Sequence, residues 1–68
     1  MADMADVLRG LGGKRVQIRR CPGYPYENPV VGVVERVTAD GQVLLRVHPS
    51  RLDAIPVEEV AGIVVLEG

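Results

Sequence analysis

The side chains of this sequence that could do chemistry are few. His48, Ser50 and Asp53 form the one grouping that offers a base, a hydroxyl and a carboxylate close together. A nucleophilic hydroxyl needs a base within hydrogen-bond reach and a third group that orients the base. Three residues in one short stretch, with no motif around them, read instead as turn chemistry. Cys21 and His48 are each the sole residue of their type, so together they fall short of the four ligands a structural zinc requires. Gly10, Gly12 and Gly13 follow a helical pattern instead of opening one, which excludes a phosphate-cradling glycine loop. Glu58 and Glu59 are adjacent, so their side chains diverge and do not make a carboxylate pair for acid–base work. The expectation is a non-enzymatic protein with no metal and no cofactor.

Recognition chemistry is better represented. Arg15, Arg19 and Arg20 lie just before Tyr24 and Tyr26, the only aromatic residues in the chain. These five are the candidate binding surface. The arginines either protect an edge strand from aggregation or form a basic binding strip. The tyrosines sit in Cys21-Pro-Gly-Tyr-Pro-Tyr-Glu-Asn-Pro29, which holds three of the five prolines and is therefore a stiff extended loop. They offer rigid rings to a partner, or fold back as a lid on the core.

The elements that must position these residues are organised around Val30 to Val47, VVGVVERVTADGQVLLRV. Two β-branched runs flank Asp40-Gly41, a strong hairpin signal. A two-residue loop would mix polar and apolar residues on both faces. A three-residue loop, Ala39-Asp40-Gly41 with Gly41 left-handed, pairs Val37 with Val43, Glu35 with Leu45 and Val33 with Val47, giving one face that is apolar except for Glu35. Val30 and Val34 fall on the other face, and Gly32 between them is expected to bend the strand.

Upstream, Met4, Val7, Leu8 and Leu11 recur at helical spacing, Asp3 stands at the N-cap position and Gly12-Gly13 ends the pattern, predicting a helix over 3–12. Lys14 to Arg20 alternates, with Val16 and Ile18 on one face. After His48-Pro49-Ser50, Arg51 to Ile55 is a fourth strand, Pro56 opens a tight turn or a 3₁₀ segment through Val60, and Ile63 to Leu66 is a last, wholly apolar strand. That strand is expected to be buried on both faces, or to set one face against another subunit.

Sixty-eight residues make one domain, with a helix over 3–12 and a barrel over 14–66, and the aliphatic core holds thirteen Val, six Leu and three Ile but no Phe or Trp. A chain of this size buries only about 60% of its unfolded surface, so association with other copies is the expected route to further stability. Net charge is −1, which argues against a globally basic nucleic-acid binder, although five of the eight basic residues lie in the first twenty positions. No apolar run reaches membrane-spanning length, Asp3 and Asp6 interrupt any leader pattern, and the single cysteine suits a reducing compartment, so a cytoplasmic location is expected.

Five short strands with a helical turn before the last predict a mainly β, SH3-like small barrel. The pattern L-x-x-L-G-G-K-R-V-x-I, then V-x-G-x-V, then D-G-x-V-x-L, carried by Leu8, Leu11, Gly13, Lys14, Val16, Ile18, Gly32 and Val33, resembles the Sm-like (Lsm) family. That resemblance implies ring oligomers, built by pairing the fourth strand of one subunit with the fifth of the next, that bind single-stranded RNA. The family's RNA sites carry an aspartate followed by an asparagine, and an arginine-glycine before the last strand. Here Thr38-Ala39-Asp40-Gly41 has no asparagine and Ala61-Gly62 stands in the second place. The Ala54-Ile-Pro-Val-Glu-Glu-Val60 segment also resembles the closing segment of PRC-barrel domains and of the C-terminal barrel of the ribosome-maturation factor RimP, which implies protein contact or ribosome assembly. The functional expectation is an interaction or assembly module that forms homo-oligomers, with single-stranded RNA binding as the alternative. Leu52, Ala54, Ile63 and Val65 are the candidate oligomer edge.

Overall fold

The computed structural model describes residues 3–23 and 27–67. In chain order it contains a helix α1 (Met4–Arg9), strands β1 (Arg15–Arg20), β2 (Val30–Val37), β3 (Gln42–His48) and β4 (Arg51–Pro56), a 3₁₀ turn η1 (Val57–Glu59) and strand β5 (Val60–Glu67). The fold is mainly β, as the patterning predicts. All five strands join one antiparallel sheet in the order β4-β3-β2-β1-β5.

That order puts β4 and β5 at opposite edges, yet only the three residues of η1 separate Pro56 from Val60. Four residues of chain reach at most about 14 Å. The outer strands of a flat five-stranded sheet lie roughly 19 Å apart. The sheet must therefore curl until its edges approach each other. No ladder joins β4 to β5 among the described residues, so the sheet is curled but open, and the closure a barrel requires is absent from the pairing.

The concave face holds the core: Val16 and Ile18 of β1, Val30 and Val34 of β2, Val43 and Leu45 of β3, Ile55 of β4 and Val60 of β5, closed over by Leu8 of α1. The hairpin turn has the expected three-residue form. Thr38 N–H donates to the Gln42 carbonyl at 2.7 Å, Gly41 N–H to the Thr38 carbonyl at 3.1 Å, and Gly41 has φ +86°. Val37 pairs with Val43 as expected, but the register then shifts, so that Val34 faces Leu45 and Val33 faces Arg46. The expected pairs Glu35–Leu45 and Val33–Val47 do not form. A β-bulge at Glu35 takes up one residue, keeps the carboxylate out of the apolar face and turns Val30, Gly32 and Val34 inward in its place. At Gly32 the bend brings β2 against β3 so closely that a Cβ would lie 2.7 Å from the Arg46 carbonyl oxygen.

The helix is shorter than 3–12. Asp3 caps it, accepting from Asp6 N–H at 2.9 Å, and it ends at Arg9 with Gly10 as its C-cap. Six residues cannot sustain a helix alone in water; burial of Leu8, with Met4 and Leu11 packed against the core, holds it in place. Val7, expected on the apolar stripe, is 46% exposed, because so short a helix presents only one side to the sheet. Gly13 N–H donates to the Val34 carbonyl at 2.8 Å and Val34 N–H to the Lys14 carbonyl at 3.1 Å, so the linker is itself bonded to β2.

Candidate functional site

The two sheet edges are the features most unlike a finished monomer. Among the described residues β4 pairs only with β3, and β5 only with β1. Along β5, Ile63 faces inward and packs on the core, whereas Val64, Val65 and Leu66 are 53%, 48% and 47% exposed. Burial of this strand on both faces, one of the two sequence expectations, does not occur within one chain. Its pairing with β1 sets Val65 beside Val16 on the inner side and Val64 beside Gln17 on the outer side. Both sides of β5 thus show aliphatic surface near its end. Leu52 and Ala54 of β4 are exposed too, on the outer face. Natural edges usually carry lysine, proline or a short strand that discourages pairing. β5 has no lysine or proline over its eight residues, and its ladder with β1 is bulged near each end.

The arginines of β1 divide. Arg15 and Arg19 point outward and are exposed. Arg15 lies 3.8 Å from the Glu67 carboxylate and starts a row across the outer face that runs Glu67, Arg15, Val33, Arg46, Leu52 from one edge to the other. Arg19 pairs with Gly62 of β5 and lays its guanidinium over it. Arg20 is different. Alternation along β1 puts it on the inner face with Val16 and Ile18, its side chain is only 8% exposed, and its Nη1 lies 3.5 Å from Glu59 Oε1. Arg20 therefore does not belong to an exposed binding strip. Tyr24 and Tyr26 lie outside the described residues.

Around Arg20 the backbone is held from two sides. The Asn28 side chain brackets it, accepting from Arg20 N–H at 2.9 Å and donating to the Arg20 carbonyl at 3.1 Å. Cys21 N–H donates to the Glu59 carbonyl at 2.8 Å, which ties the end of β1 to η1. Neither contact is signalled by periodicity. The position of Arg20 is, because strict alternation from Val16 already assigns it inward.

On β4, Arg51 donates through Nε and Nη2 to the two oxygens of Asp53, each at 3.0 Å. These hydrogen bonds hold the Asp53 carboxyl below its ordinary range against the opposing effect of partial burial, and the charges of Arg51 and Arg20 act in the same direction. With both oxygens engaged there, Asp53 does not orient His48. The His48 ring instead accepts from Ser50 N–H at 3.2 Å, with Ser50 Oγ at 2.8 Å from Nδ1. The grouping of histidine, serine and aspartate is therefore one side chain capping a turn and a separate ion pair. Among the described residues no group of three or more His, Cys, Asp or Glu could hold a metal ion. Among the described residues no helix is long and apolar enough to cross a membrane.

Compared with known proteins, the chain matches no family model, no curated protein and no solved structure.

Proposed function

We propose that this protein is a small non-enzymatic interaction module that assembles with copies of itself by strand addition at its two bare edges. The observation that carries the reading is β5, a long edge strand without lysine or proline that shows three consecutive half-exposed aliphatic residues, Val64, Val65 and Leu66. Unpaired edges recruit strands, and main-chain hydrogen bonds supply the affinity when they do. The two edges are also complementary. If β4 of one copy runs antiparallel to β5 of another with Arg51 opposite Glu67, then Leu52 meets Leu66, Ala54 meets Val64 and Ile55 meets Ile63. Such a contact is heterologous, so it closes into a ring or grows into a filament. Light scattering over micromolar concentrations tests it. A mass above one chain that rises with concentration is expected; a monomer throughout removes the reading.

Single-stranded RNA binding is the second reading, favoured by the outward guanidinium of Arg19, which has no carboxylate partner among the described residues. Anisotropy with a short labelled RNA at low and moderate salt separates the two, since binding through arginines weakens steeply with salt.

A further inference from the structure

An antiparallel sheet with one solvated face ordinarily sets apolar side chains inward and polar side chains outward. The outer face of this sheet departs from that rule. Beside the row through Arg15, Val33, Arg46 and Leu52 lie two more, one of Val64, Gln17 and Val31, the other of Arg36, Leu44 and Ala54. The three rows set an aliphatic band obliquely across the sheet, from Val64 at the β5 edge through Val31, Val33 and Leu44 to Leu52 and Ala54 at the β4 edge. Val64 and Leu52 are 53% and 42% exposed, and Val31, Val33 and Leu44 are partly exposed. Leu8 of α1 closes the opposite face, so among the described residues no element covers the band.

We propose that this face docks an acidic amphipathic helix of a partner protein, with the helix's aliphatic side on the band and its carboxylates on the flanking arginines. Charge complementarity is the first argument. Arg15 and Arg36 flank the band on one side, Arg19 and Arg46 on the other. Against these four stand Glu35 and Glu67, so the face carries 4 − 2 = +2 on a chain whose net charge is −1. Glu35 lies 3.2 Å from Arg46 and Glu67 lies 3.8 Å from Arg15, whereas Arg19 and Arg36 have no carboxylate at ion-pair distance among the described residues. Apolar patches rimmed by polar residues mark binding surfaces, and arginine is enriched in protein interfaces.

The choice of a helix follows from the backbone. Main-chain groups inside the sheet are engaged in ladders, so a segment lying on this face must satisfy its own hydrogen bonds, which a helix does and an extended strand does not. A second copy does not fit. Its own outer face would set arginine against arginine, and its α1 has only six residues with Leu8 already in its core. Single-stranded RNA would meet the arginines but find no aromatic ring on any strand to stack on, leaving the band wet. Strand addition uses the edges, so this face stays open whether or not the protein assembles.

The test is titration of ¹⁵N-labelled protein with a synthetic peptide of leucine on one helical side and glutamate on the other. A length of about thirteen residues spans the roughly 19 Å across the sheet. The same peptide with lysine in place of glutamate, and a short oligouridylate, are the controls. Saturable amide shifts at Val31, Val33, Arg36 and Leu44 with the glutamate peptide alone are expected. Arg36 is exposed, so Arg36→Gln keeps the fold while weakening binding about five-fold, the effect of one charge at about 4 Å in water. These amides lie on β2 and β3, away from both edges, so the result is independent of self-assembly. Shifts confined to β4 and β5, equal binding of the lysine peptide, saturable binding of the oligouridylate on the same rows, or unchanged affinity in Arg36→Gln would each overturn the proposal.

Discussion

Two glycines and one arginine carry constraints that their neighbours do not. Gly41 holds φ +86° in the hairpin turn, so Gly41→Val forces a β-branched residue into the left-handed region and should cost about 1–2 kcal/mol in chemical denaturation. Gly32 has an ordinary conformation but no room, because a Cβ would meet the Arg46 carbonyl oxygen at 2.7 Å and Leu45 Cγ at 2.9 Å. The nearer atom is backbone, which cannot rotate away. Gly32→Ala should therefore destabilise by roughly 3 kcal/mol, the upper part of the range for overpacking. Arg20→Ala removes the cation beside a Glu59 that stays largely buried, and breaking such a pair costs about 3–5 kcal/mol. If denaturant midpoints of Gly32→Ala and Arg20→Ala match the parent's, the close approach and the inner ion pair are both wrong.

At the level of elements, the sequence was legible wherever local chemistry decides the outcome. Asp3 caps the helix, Gly41 sets the turn, Pro56 opens the 3₁₀ segment, and the alternation of Val16 and Ile18 gives their facing. It was illegible where a strand changes register. The hairpin pattern is apolar on one face apart from Glu35, and two solutions exist: bury the glutamate's position, or bulge there and exchange the faces of β2. Only the packing of Val30 and Val34 beneath Leu8 and beside Leu45 selects the second, and that packing involves residues distant in sequence. The aliphatic band of the outer face was hidden for the same reason, since its residues come from separate strands. β4 also carries a pH dependence. Asp53 titrates below its ordinary value in the folded chain, so its contribution is present above the unfolded carboxylate pKa of about 3.9 and disappears as pH falls through the lower folded value. Thermal denaturation of the parent and Asp53→Asn should show a stability gap that is constant above about pH 5 and closes below about pH 4. A gap that widens in acid contradicts the pairing with Arg51.

For the whole molecule, the decisive property is a sheet curled far enough to bury nine hydrophobic residues among those described but left unjoined at β4 and β5. Within one chain, η1 carries the backbone past the seam, and charged side chains occupy the gap that a strand ladder would fill. The unsatisfied edges then face outward, and β5 offers no lysine or proline to repel a neighbour. Supplying that missing guard should abolish assembly without unfolding the chain. Val64 and Leu66 are 53% and 47% exposed, so Val64→Lys with Leu66→Lys places two charges on an already exposed strand and removes little from the core. The expected result is an unchanged circular dichroism spectrum, a mass of one chain by light scattering, and thermal stability that no longer depends on protein concentration, because mass action stabilises only the form that associates. An assembled mass retained in the double variant would place the contact away from the β5 edge.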